Sequence, residues 1–158
     1  MKAASLNEIK KELRAADEEV IRELCMRLAK YKKENKELLT YLLFEAHDEQ
    51  SYIDNVKTAI SKEFKTMPGN TYLIKKTLRK ILRLANRQIR YSGIKQTELE
   101  IRTYFCFKMK EAHVPLSPGT VLFNLYQQQL KKINTILLGL PEDLQADYSR
   151  DIKAISIQ

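Results

Sequence analysis

The sequence predicts an all-α protein, and three observations carry that prediction. Only four Gly and four Pro are spread over 158 residues. Apolar residues recur at the 3.6-residue helical period in segment after segment, and no segment reads as a convincing strand. A chain of this size buries close to ~70% of its unfolded surface, enough for one core without disulfide or metal. The expected organisation is a single domain over residues 1–158 with short flexible ends at 1–4 and 156–158.

The first helix is announced by Ser5, Leu6, Asn7, Glu8, the pattern of a capping box, and Leu6, Ile9 and Leu13 form its apolar face. A second start at Asp17 leads into Ile21, Leu24, Cys25 and Leu28, and Lys30, Lys32 and Lys33 suit its C-terminal end. A third helix carries Leu38, Leu39, Leu42, Leu43 and Ala46, and a fourth carries Ile53, Val56, Ile60 and Phe64 before Pro68, Gly69 and Asn70 stop it. Helix five runs from about Thr71 to Ser92 on Ile74, Leu78, Ile81, Leu82, Ala85 and Ile89, with Gly93 placed as its left-handed terminator. Helix six, Lys95 to about His113, has Ile101, Phe105 and Ala112 on one side and Leu99 and Cys106 on another. A helix apolar on several sides is usually central. Pro115 and Pro118 mark a loop, Leu122, Tyr126, Leu130, Ile133 and Leu137 mark helix seven, and Gly139 and Pro141 separate it from a last helix with Leu144, Tyr148, Ile152 and Ile155. Short connections make successive helices antiparallel neighbours. The result is about eight helices in a bundle or in a short α-α hairpin array, whose general look is similar to helical-repeat proteins (HEAT/ARM-like), although no residue pattern repeats at a fixed period.

Charge is the most localised property of the chain. Between Phe64 and Thr97 stand Lys65, Lys75, Lys76, Arg79, Lys80, Arg83, Arg87, Arg90 and Lys95 and no acid, which exceeds the +8 of the whole chain. On helix five, Lys76, Lys80, Arg83, Arg87 and Arg90 follow spacings of four, three, four and three, with Lys75 and Arg79 at the edge of the line. At 100° per residue the seven fall within an arc of roughly 140° opposite the apolar residues, and the line is about 21 Å long. That length spans several phosphates of a nucleic-acid backbone, and the Arg fork matches phosphate oxygens two at a time. A solvated polar face explains the same residues more simply, as Lys and Arg are good helix formers. Yet such a face usually interleaves Glu for pairing, and here none is present. Compensation could come from Asp17, Glu18, Glu19 and Glu23. The other anionic partners considered are an acidic protein and an anionic membrane surface. No helix-turn-helix spacing, zinc-finger pattern or aromatic RNA-binding motif accompanies the line, so any nucleic-acid contact would be to the backbone, without sequence specificity.

Candidates for catalysis are few. His47 lies in Glu45, Ala46, His47, Asp48, Glu49, but on a helix it points away from Glu45 and Glu49, and no Glu stands three residues before either His47 or His113. Both histidines are expected at solvated ends. Cys25 and Cys106 sit in apolar patterns and are expected to be buried and inert. No Gly-rich phosphate loop or nucleophile elbow exists. Tyr104, Phe105, Cys106 and Phe107 cannot all face one core, so this run is either packed on several sides or part of an interface such as a homodimer.

The sequence therefore points to a cytoplasmic, non-enzymatic interaction module without metal, cofactor or small-molecule substrate, binding a nucleic-acid backbone or an acidic protein through the basic face of helix 71–92. The alternative is a scaffold or oligomerisation domain using apolar surface of helices 95–113 and 120–138. The opening residues lack the apolar stretch of a signal peptide, and the longest apolar cluster, Leu38 to Phe44, is far short of a membrane span.

Overall fold

The computed structural model describes residues 1–157 of the chain. Its helices are α1 (Leu6–Ala15), α2 (Glu18–Tyr31), α3 (Lys33–Thr40), α4 (Glu49–Phe64), α5 (Thr71–Ser92), α6 (Lys95–Glu111), α7 (Val121–Leu138) and α8 (Glu142–Ile155), and a π-helical turn, Tyr41–Glu45, follows α3. Among the described residues there is no strand, as the composition predicts. None of these helices is long and apolar enough to cross a membrane.

The boundaries follow from local chemistry. Ser5 Oγ accepts from the Glu8 amide at 3.3 Å while the Glu8 carboxylate accepts from the Ser5 amide at 2.7 Å, the reciprocal pair that the motif predicts. The side chains of Asp48, Asn70 and Thr120 cap α4, α5 and α7 by accepting from first-turn amides, without the reciprocal bond. Gly93, at φ 68°, ends α5 in the left-handed conformation. The third helix expected through Ala46 is shorter: it ends at Thr40, and the chain continues in the wider π turn.

Contacts divide the chain into two compact units, Met1–Phe44 and the remainder from Glu45. In the first, α2 packs on α3, and Asn35 donates to the Leu28 carbonyl at 2.9 Å. Tyr41 is its one fully buried large apolar side chain. Cys25, expected inside, is exposed there, because α2 has one packing partner and cannot cover all of its apolar residues.

In the second unit, α6 is the centre: α4, α5, α7 and α8 all pack against it. That arrangement is a cluster around one helix, unlike a solenoid, where each pair meets only its neighbours. Leu99, Ile101, Phe105, Cys106 and Met109 of α6 are fully buried, which explains why its apolar residues lack a single stripe. The aromatic run fans around the helix. Phe105 meets Phe64 edge to face at 5.9 Å, Cys106 is buried, Tyr104 is half-buried with its hydroxyl bonded to Ser61, and Phe107 remains 46% exposed. At the chain's end, Lys110 Nζ donates to the carbonyls of Ala154 and Ser156 at 3.0 and 2.8 Å, the cation lying at the negative pole of α8. Ser156, within the end that the sequence reads as flexible, accepts from Lys110 through its carbonyl, and Gln158 lies outside the described residues.

The end of α6 carries a feature the sequence reading misses. Val114 N–H reaches the Met109 carbonyl at 3.1 Å and His113 N–H the Lys110 carbonyl at 2.9 Å, with Val114 packed inside and His113 at φ 50°. This is the Schellman arrangement, which favours Gly at the left-handed position. His113→Gly is expected to raise stability by ~0.5–1 kcal/mol by relieving the Cβ penalty, read as a higher urea midpoint at unchanged slope.

Candidate anion-binding face

The basic face stands on a helix whose position is fixed by burial of Ile74, Leu78, Ile81, Ala85 and Ile89 against the core. Each buried Ile or Leu of the row contributes roughly 1.5–3 kcal/mol, so α5 cannot roll to hide its charges without exposing that row. The strongly segregated sequence thus sets which face meets water.

Of the seven predicted cations, Lys76, Arg79, Lys80, Arg83 and Arg90 are exposed, while Lys75 and Arg87 are half-buried. Lys80 alone of the exposed five has an acidic partner: its ammonium lies 2.8 Å from the Glu63 carboxylate of α4. This pair is largely solvated and contributes well under ~1 kcal/mol, so it leaves Lys80 free to exchange partners. Lys76, Arg79, Arg83 and Arg90 make no ion pair or side-chain hydrogen bond among the described residues. The proposed compensation by the first acidic cluster takes another form, because Glu18 and Glu19 hold Arg22 of their own helix at 3.2 and 3.0 Å. Arg87 differs from its neighbours in that its Nε is shielded from solvent, which makes it part of the packing as much as of the face.

The remaining polar clusters are structural. Arg102, expected nowhere as a special residue, is buried at 6% exposure and reaches three acceptors: Glu98 at 2.9 Å, Asn86 at 3.0 Å and Gln129 at 2.8 Å. Burial pushes the Glu98 carboxyl up, but hydrogen bonds and charge from Arg102 and Lys95 outweigh this and hold it below the ordinary carboxylate range. Lys57 and Tyr148 converge on Glu100, each at 2.8 Å, and burial together with the bond to Glu100 pushes the Tyr148 hydroxyl up to about 12. The acidic stretch around His47 separates into two tasks: Asp48 caps α4, and Glu49 receives Ser92 and Thr97. His47 and His113 are both exposed. Among the described residues no three His, Cys, Asp or Glu side chains gather as a metal site.

The cysteines provide a direct check of this geometry. Desolvation pushes the Cys106 thiol up to about 12, whereas Cys25 is exposed. A thiol reagent added to native protein should therefore modify one equivalent quickly, at Cys25, and the second only after denaturation. Cys25→Ser should abolish the fast phase.

The chain matches no protein-family model, no curated protein and no solved structure, so its fold and its surface are the only guides to what it does.

Proposed function

We propose that the chain is a non-enzymatic interaction module whose α5 face binds the phosphate backbone of a nucleic acid without sequence specificity. The observation that carries this reading is a row of exposed cations, Lys76, Arg79, Lys80, Arg83 and Arg90, of which Lys80 alone is ion-paired, to Glu63. Like charges three and four residues apart repel along a helix, and an external polyanion removes that penalty on binding. Arg contributes three of the five, and its planar fork takes phosphate oxygens in pairs. An acidic protein offers the same sign of charge but lacks the regular spacing of phosphates along a ~21 Å line.

The alternative, a scaffold using apolar surface of helices 95–113 and 120–138, draws less support. Phe107, Val121 and Leu138 are the exposed large apolar residues of α6 and α7, while Phe123, Leu125, Leu130, Ile136 and Leu137 of α7 are half-buried. The test is a salt titration with random-sequence single- and double-stranded oligonucleotides. Retention at low salt and release near ~200 mM supports the reading. Absence of binding at low salt removes it.

A further inference from the structure

The first unit presents a surface that its own fold leaves open. Residues 1–44 hold 13 of the 20 large apolar side chains that are exposed along the described chain. The best ordered of these lie on α2: Val20, Leu24, Leu28 and Tyr31 are 45%, 42%, 61% and 77% exposed and follow spacings of four, four and three. They occupy an arc of roughly 80°, and the half-buried Ile21 and Ala29 lie about 20° and 100° beyond its Leu28 edge. One residue before each stands a charge: Glu19, Glu23, Arg27 and Lys30. This flanking row is acidic in the N-terminal half of the helix and basic in the C-terminal half.

A row polarised in that way complements its own reversed copy. We propose that α2 is a homodimerisation helix, pairing antiparallel with α2 of a second copy about a two-fold axis near Cys25. Reversal about residues 25–26 sets Val20 opposite Tyr31, brings Leu24 within one residue of Leu28 and Glu23 within one of Arg27, and brings Glu19 within two of Lys30. The four pairs centre between residues 24.5 and 26, a spread of about 2 Å along the helix. In a parallel pair this flank would fall on opposite sides of the seam in the two copies, so Glu23 and Arg27 would not meet and the complementarity would go unused. The contact is isologous and closes, so it yields a dimer and no filament. Leu6, Ile9 and Leu13 of α1 are exposed as well. The exposed bonds of Arg22 to Glu18 and Glu19 leave this face available, since such surface pairs contribute little. The inference is independent of the α5 face.

Sedimentation velocity on the whole chain up to ~100 µM tests it. Wild-type protein should reach about twice 18.5 kDa with a micromolar dissociation constant. Glu23→Lys places Lys against Arg27 twice in the dimer, and Arg27→Glu places Glu against Glu23 twice, so each variant alone should associate at least ~tenfold more weakly. Mixed in equal amounts, the two variants restore both opposite-charge pairs and should dimerise again. Circular dichroism reads whether each variant keeps its helices, and recovery on mixing is an outcome that a folding defect cannot produce. A wild-type monomer over the whole range, variants that associate like wild type, or a mixture no tighter than its components overturns the proposal.

Discussion

Arg102→Ala is expected to destabilise the protein by roughly 3 kcal/mol, the largest single-residue effect outside the apolar core. The substitution leaves the Glu98 carboxylate, whose side chain is 16% exposed, without its main partner, and strands the amide oxygen of buried Gln129. Removing one member of a buried ion pair costs ~3–5 kcal/mol because the other charge stays desolvated. Arg102→Lys keeps the charge but loses the fork that reaches three acceptors, so it should recover only part of the loss. The effect also depends on pH in a fixed direction. Glu98 is held below its ordinary value of 4.5, so its contribution is fully present above that pH and is lost as pH falls through the lowered folded value. Urea unfolding at neutral pH should therefore separate wild type from the Ala variant widely, and the gap should narrow below pH 4.5. A gap that is small at neutral pH, or that widens in acid, would show that the network is not what holds α6 to α5 and α7.

The second large effect concerns binding rather than stability. Lys76→Glu, Arg83→Glu and Arg90→Glu together should leave helicity and unfolding midpoint nearly unchanged, since all three side chains are exposed and bonded to nothing among the described residues. The same triple variant should lose nucleic-acid retention at every salt concentration, a loss of at least ~100-fold. Arg87 does not belong in that set. Its shielded Nε makes Arg87→Glu a substitution in the packed layer, so a loss of binding there would be confounded by a loss of fold. The choice of variants rests on exposure, which the helical wheel alone does not give.

The legible parts of this fold are those governed by local rules. The capping box at Ser5, the Gly93 terminator and the long amphipathic α5 depend on residues within a few positions of one another, and all three stand where the pattern puts them. The central position of α6 was legible for a different reason: apolar residues on several sides need several neighbours. What depends on distant residues was not legible. Arg102 lies at helical spacing between Leu99 and Cys106, a position that marks it as buried, but its acceptors Asn86 and Gln129 come from two other helices. Cys25 was misplaced for the converse reason. An apolar pattern is necessary for burial, yet α2 finds too little surface to bury it against. On the basic face the spacing named the seven residues, and only the structure divides them into five that are exposed and two, Lys75 and Arg87, that are partly taken into the fold.

The most direct measurement of the central claim is the salt dependence of oligonucleotide binding, followed by fluorescence anisotropy with wild type and the triple variant side by side. Phosphate contacts release counterions, so log affinity should fall linearly with log salt by about 0.7 per contact on single strands and about 0.9 on duplex. With three to five of the exposed cations engaged, the wild-type slope should lie at about −2 to −4.5, be indifferent to sequence, and vanish together with binding in the triple variant. A wild-type slope near zero, or identical titrations for the two proteins, would contradict the claim that α5 carries the binding face.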